Sequence, residues 1–253
     1  MNLAPLTADL PVRHGFFTRE GGVSEGSFAS LNCSLSGHDD RDRVLENRAR
    51  VARILDAEPG ALLGLTQVHG VAVAVVSAPW VSGPRADALV TDRPGLALGI
   101  VTADCAPVLF ADPAAGVVGA AHAGWRGAVA GVLEATVAAM VGLGAAAGRI
   151  SAAVGPCIGQ ASYEVAADLR DAVLACYPLD ASFFADGARP DRWQFDLAGY
   201  CAARLRAVGC GVVSVLGVDT RAEEARFFSH RRRTLARGGP IGHQMSAIML
   251  RQW

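Results

Sequence analysis

Val117-Val118-Gly119-Ala120-Ala121-His122-Ala123-Gly124-Trp125-Arg126-Gly127 reads as the end of one element and the start of another. Residues 117–121 form a short apolar run suited to a buried strand, and Gly124 and Gly127 mark a turn. From 128 to 141, Ala, Val, Leu and Met recur in a pattern suited to a helix. His122 thus stands between a strand and a helix, where side chains can converge on a pocket.

Outward from this stretch, β-branched runs broken by Gly, Pro and Asp predict strands over 63–68, 71–76, 88–91, 96–102 and 108–110. An amphipathic surface helix is predicted over 42–55, with Val44, Leu45, Val51, Ile54 and Leu55 on one side. Toward the C-terminus, strands at 150–154, 212–218 and 245–250 mix with helices at 165–176 and 198–208. No repeat, coiled coil or low-complexity linker interrupts the pattern. The reading is a mixed α/β (α+β) fold, a single domain over 1–253.

Three short blocks hold the groups with chemistry: Thr66-Gln67-Val68-His69-Gly70, Thr102-Ala103-Asp104-Cys105-Ala106-Pro107 and Ala121-His122-Ala123-Gly124. Two neutral imidazoles and a thiolate are ligands that zinc accepts, and three protein ligands leave a position open for water or substrate. The gaps of 36 and 17 residues between them are not the tight spacings of structural zinc sites. Two readings stay open: a zinc site, or a buried thiol and two hydrogen-bonded histidines with no metal.

Composition narrows the classes. The chain of 253 residues is 51% hydrophobic with mean hydropathy +0.30, enough for a large core. Its apolar runs are short of the ~20 residues that span a bilayer. The opening Met1-Asn2-Leu3-Ala4-Pro5 has no basic segment followed by an apolar stretch. Six scattered cysteines without C-x-x-C pairs read as reduced thiols, and the expected location is the cytoplasm. A net charge of −1 gives no global attraction to nucleic acid. Neither membrane, nucleic acid nor an obligate protein partner is expected. All 23 basic residues are arginine. Schiff-base lysine chemistry and the phosphate-loop lysine are therefore excluded, and an anionic substrate must be held by guanidinium forks or backbone N–H groups.

The blocks His14-Gly15-Phe16-Phe17-Thr18-Arg19-Glu20-Gly21-Gly22, Ser30-Leu31-Asn32, Gln67-Val68-His69-Gly70, Ala86-Asp87-Ala88-Leu89-Val90-Thr91, Gly155-Pro156-Cys157 and Arg226-Phe227-Phe228-Ser229-His230, with those around Cys105 and His122, resemble one family. It is the laccase-domain (YfiH-type) family, also called multicopper polyphenol oxidase, peptidoglycan editing factor or purine nucleoside phosphorylase. The resemblance implies a mixed-sheet sandwich with flanking helices, and zinc at His69, Cys105 and His122. It also implies phosphorolysis of adenosine, inosine, guanosine and methylthioadenosine, with deamination of adenosine as a second activity. The ligands expected are a small-molecule nucleoside and phosphate. Arg19, beside Gly21-Gly22, and Arg126 are the candidates for phosphate. Asn32 and Gln67 are candidates for reading purine or ribose edges, and Trp125 for stacking. Asp104 is placed with Cys105 and His122 in the catalytic set, to orient a ligand histidine or a substrate hydroxyl.

The resemblance is imperfect toward the C-terminus. Cys201, Asp219-Thr220 and Gly242-His243 stand where the family pattern has Asn, Cys-Thr and Gly-Arg, and neither His230 nor His243 is given a catalytic role. Six histidines without an H-x-H pair cannot furnish a multicopper cluster. A single copper on the same ligands, with Met245 or Met249 as weak axial contact, remains an alternative metal reading. So does a metal-free hydrolase, with Cys105 as nucleophile, His122 as base and a peptidoglycan precursor as substrate. A binding module built on structural zinc would require a fourth ligand, from His14 or another cysteine.

Overall fold

The computed structural model describes residues 3–251. Met1 and Asn2 of the opening segment lie outside the described residues. The N-terminal half runs β1 (Arg13–Phe16), α1 (Arg41–Ile54), β2 (Leu62–Leu63), β3 (Val73–Val75), β4 (Ala88–Thr91), β5 (Ala97–Thr102), β6 (Ala106–Asp112) and β7 (Val117–Ala123). It continues as α2 (Trp125–Ala130), α3 (Val132–Gly142), β8 (Ser151–Val154), β9 (Glu164–Val165), α4 (Ala167–Cys176), β10 (Phe184–Asp186) and β11 (Trp193–Phe195). The last elements are α5 (Leu197–Ala207), β12 (Val212–Val215), α6 (His230–Leu235) and β13 (Gln244–Met249).

Two larger sheets make the sandwich. One has the order β12-β8-β6-β7-β4-β3 and the other β1-β13-β5-β2, while β10-β11-β9 form a small third sheet. Leu89, Leu109, Val118, Ala120 and Ala153 of the six-stranded sheet face Leu98, Ile100 and Ile248 of the four-stranded one. Alternate residues of the same strands, Ala88, Val90, Val108, Phe110 and Ala121, pack outward against Val132, Leu133, Val137 and Met140 of α3 and Leu205 of α5. On the other side, Val51 and Ala52 of α1 cover Ala97, Met245, Ala247 and Met249. Strands buried on both faces have no polar face to alternate with, which is why they read as continuous apolar runs. No helix among the described residues is long and apolar enough to cross a membrane.

Several boundaries differ from the sequence reading, each for a local reason. The helix expected over 128–141 is two helices, α2 and α3, because Gly131 between them adopts φ +101°, a conformation that ends a helix. His122 lies inside β7, not after it. The strand expected over 63–68 stops at Leu63, and Gln67 continues the pairing with its side chain, accepting from the Val101 N–H at 3.0 Å and donating to the Val101 carbonyl at 2.8 Å. The helix expected over 165–176 begins only at Ala167, because Val165 belongs to strand β9. The short elements β1, β10, β11 and α6 carry too few residues for a periodic signal.

The sheets approach closely where Gly155 follows β8: a Cβ there would lie 2.1 Å from the ring of Phe16 on β1. Phe16 is 1% exposed and cannot swing out. Gly155→Ala is therefore expected to lower stability by about 2–3 kcal/mol through overpacking, seen as a lower denaturant midpoint at unchanged slope. A midpoint equal to the parent's would show that the sheets have slack at this contact.

Candidate metal centre and cleft

Strand register assembles the centre. β6 and β7 pair antiparallel with Ala106 opposite Ala123 and Pro107 opposite His122, so Cys105, just before β6, arrives beside the end of β7. β4 pairs with the other edge of β7, Ala88 opposite Ala121, which sets Asp87 beside His122; the His122 N–H donates to the Asp87 carbonyl at 2.7 Å. His69 comes from the loop between β2 and β3.

The side chain of Asp87, fully buried, organises both histidines. Its carboxylate accepts from the backbone N–H groups of Val68 (3.1 Å), His69 (2.8 Å) and Gly70 (2.7 Å), and its Oδ1 lies 2.8 Å from Nδ1 of His122. The three N–H bonds hold His69 at φ +59°, a left-handed conformation costly for a non-glycine residue. Burial opposes the ionised carboxyl, but His122 and the N–H groups outweigh it and hold Asp87 below the usual carboxylate range.

With Nδ1 of His122 bound to Asp87, its Nε2 is the nitrogen left for a metal. The ligand atoms of His69, Cys105 and His122 all lie within 4.8 Å of one another, and Cys105 Sγ is 3.8 Å from His69 Nε2. A tetrahedral zinc with bonds of about 2.0–2.3 Å spaces its ligands by roughly 3.5 Å, so the triad fits the ion with small adjustments. Gly124 is required beside it: a Cβ there would lie 2.8 Å from the His69 ring and 3.0 Å from Cys105 Sγ. Burial pushes the Cys105 thiol up, but His122 and His69 more than offset this and bring it down to about 6. Burial pulls His122 down, while Cys105 and Asp87 raise it to about 9. The pocket thus favours a thiolate, the form that binds metal.

No further His, Cys, Asp or Glu joins the cluster among the described residues. His14 is engaged elsewhere, with its ring nitrogens on the Ala8 N–H and the Val12 carbonyl. Met245 and Met249 pack in the core against α1 and do not line the cleft, so neither is an axial ligand for copper.

The triad opens into a cleft of about 980 Å³. Its charged lining is one-sided, with Arg41, Arg48, Arg126 and Arg231 against the single carboxylate of Asp104. Arg126 is stacked 4.4 Å over the Trp125 ring, and Arg231 lies 5.3 Å over Tyr163. Other candidates are used differently from the sequence reading. Asp104 reaches neither ligand histidine: it accepts from Thr220 Oγ1 (2.7 Å), Ser229 Oγ (2.9 Å) and the Arg231 N–H (2.6 Å), fastening the start of α6. Orienting a ligand falls to Asp87 instead. Both ends of the Gln67 amide bond Val101, so the side chain is pinned to β5 where it lines the cleft. Asn32 is fully buried, donating to Asp39 and accepting from the N–H groups of Ser34 and His243. Arg19 does not line the cleft; it donates to the Ala29 carbonyl at 2.7 Å and lies over Phe228.

The sequence reading gave no role to Asp87, Tyr163, Arg231 or His243, which surround the triad and cleft. For Asp87 a signal existed, since it is the one charge within the apolar run 86–91. Asp87→Asn keeps the size and removes the charge, and is expected to weaken zinc binding about 10- to 100-fold in competition with a chromophoric chelator. Unchanged affinity would mean that the histidines hold their orientation without the carboxylate.

A family model described as multi-copper polyphenol oxidoreductase laccase matches residues 13–251. A purine nucleoside phosphorylase of Deinococcus radiodurans is 46% identical over 230 residues, covering 88% of this chain and 85% of that protein. One of Pseudomonas aeruginosa is 42% identical over 231 residues, covering 90% and 92%. Among solved structures, a Neisseria meningitidis protein superposes with TM-score 0.89 at 33% identity over the full length of both chains. YlmD of Geobacillus stearothermophilus gives 0.87 at 34% identity, covering 94% of this chain and 92% of that one.

Proposed function

The chain belongs to the multi-copper polyphenol oxidoreductase laccase family, and from that premise we propose that it is a zinc-dependent purine nucleoside phosphorylase that also deaminates adenosine. The observation that carries the reading is the three-ligand centre at the edge of an arginine-lined cleft. Curated relatives at 42–46% identity bear the phosphorylase name. The substrates are a purine nucleoside and inorganic phosphate, and the products of phosphorolysis are the free base and ribose 1-phosphate. Deamination adds water to adenosine and releases ammonia, leaving inosine.

His69, Cys105 and His122 would hold the zinc, which would supply Lewis acidity when bound. The chain's own residues do the rest. Asp87 fixes the ring of His122 through Nδ1 and the backbone of His69 through its N–H. Arg126, exposed at the cleft and ordered by the face of Trp125, supplies a fork for a phosphate dianion. Arg231 adds positive charge to the cleft lining, held by its bond to the Glu164 carbonyl at 2.8 Å. Positive potential in a confined cleft concentrates an anionic co-substrate and orients it toward the anomeric carbon.

A second reading, a metal-free hydrolase with Cys105 as nucleophile and His122 as base, draws support from the Asp87–His122 contact, which is the orienting bond that such a dyad needs. Zinc content separates the two. The protein retains stoichiometric zinc under the first reading and is active after complete chelation under the second.

Metal-quantified protein incubated with adenosine is expected to yield adenine and ribose 1-phosphate only when phosphate is present, and inosine with or without it. Cys105→Ala should abolish both products in a folded chain. Arg126→Ala should raise the KM for phosphate about tenfold or more, the loss of a charge-assisted hydrogen bond, and leave inosine formation largely unchanged. Full zinc occupancy with neither product by chromatography would overturn the purine reading.

A further inference from the structure

His243 precedes β13 and lines the cleft. Its main chain is fixed on both sides: the N–H donates to Asn32 Oδ1 at 2.9 Å, and the carbonyl accepts from the Cys33 N–H at 3.0 Å. The ring is placed differently. Among the described residues neither ring nitrogen has a hydrogen-bond partner, and Nδ1 is shut away from solvent while the residue as a whole is half-buried. Burial, and then the charges of His122, His230 and Arg233, hold the ring's pKa down to about 4, so it is neutral near pH 7.

A neutral imidazole carries one N–H and one bare nitrogen. A buried N–H with no acceptor costs more than an unused lone pair, because orphaned donors are the rarer fault in folded proteins. The proton therefore belongs on Nε2, the nitrogen that keeps access to the cleft, and Nδ1 is the bare one. His243 thus presents a neutral donor in a cleft that also holds the guanidinium groups of Arg41, Arg48, Arg126 and Arg231.

We propose that His243 is a substrate contact that determines base specificity, its Nε2–H favouring 6-oxopurine nucleosides, which offer an acceptor, over 6-aminopurine nucleosides, which offer a donor. The proposal rests on the purine reading, in which purine C6 faces the triad: Gln244, the next residue along, pairs with Thr102 of the Cys105 block, which places His243 on that side of the cleft. A carbonyl there completes a hydrogen bond. An amino group sets N–H against N–H and leaves both unpaired, which is how a polar site rejects the wrong ligand.

The test compares kcat/KM for phosphorolysis of inosine and adenosine in the parent, His243→Phe and His243→Gln, with the Kd for inosine measured by calorimetry without phosphate. The two main-chain bonds survive in both variants, and zinc content and melting temperature report that each is folded. His243→Phe keeps the ring shape and loses the donor. It is expected to lower kcat/KM for inosine about tenfold and raise its Kd in step, with adenosine changed by less than about twofold. His243→Gln sets an amide N–H near the position of Nε2 and should restore most of the preference. Equal losses on both nucleosides, or an unchanged ratio, overturn the assignment to His243 alone. A parent protein that turns over neither nucleoside overturns the purine reading and this inference with it.

Discussion

The structure around the site depends on one buried carboxylate. Asp87 accepts three consecutive backbone N–H groups from a loop that would otherwise have no reason to hold a left-handed histidine, and the same carboxylate fixes the tautomer of a second histidine on the adjacent strand. Burying a charge without partners is prohibitive, and Asp87 is tolerable because four donors surround it. The dependence runs both ways: without the carboxylate the loop loses its shape, and without the loop the carboxylate loses its solvation. A ligand set drawn from residues 36 and 17 positions apart becomes a rigid unit through that mutual requirement.

A second carboxylate performs the corresponding task for the distal half. Asp104, one residue before the ligand thiol, sits at φ +90° and gathers Thr220, Ser229 and the Arg231 N–H. These bonds bring α6, and with it Arg231 and His230, onto the rim of a cleft also lined by Leu62 and Leu63 of β2, Gly99, Val101 and Thr102 of β5, and His122 of β7. Asp219 does the same for its neighbourhood by accepting from Ser162 Oγ at 2.6 Å. Asp219 and Thr220 thus carry bonds that assemble the rim.

The sheets and the triad were legible in the sequence for different reasons. Strands β4 to β7 are buried on both faces, and their apolar runs can hardly be read otherwise; His69, Cys105 and His122 stand out because each interrupts or ends such a run beside glycine, alanine or proline. The partners of the triad were not legible. Whether an aspartate touches a histidine depends on strand register, and β4 pairs with β7 across 35 residues of sequence. Asn32 and Gln67 look like binding residues by type, yet Val101 holds both ends of the Gln67 amide and Asp39, Ser34 and His243 hold that of Asn32, and only the fold shows which polar groups are already engaged. Arg19 misled for the same reason: proximity to a glycine turn says nothing about what fills the guanidinium fork.

This distinction between satisfied and unsatisfied groups also locates specificity. The candidate metal ligands sit at the end of β7 and on the loops beside it, where register and the Asp87 bonds leave little freedom. Groups with hydrogen-bonding capacity still to offer lie on the rim, on segments carried by Asp104 and by the Asn32–His243 bond. A change of side chain there alters whether the centre forms at all. A change on the rim alters which ligand completes the bonding, because the backbone there is held through main-chain contacts that do not depend on the side chain it displays. The imidazole of His243 is such a group: Asn32 and Cys33 hold its backbone, so the ring can be exchanged while the triad stays as it is.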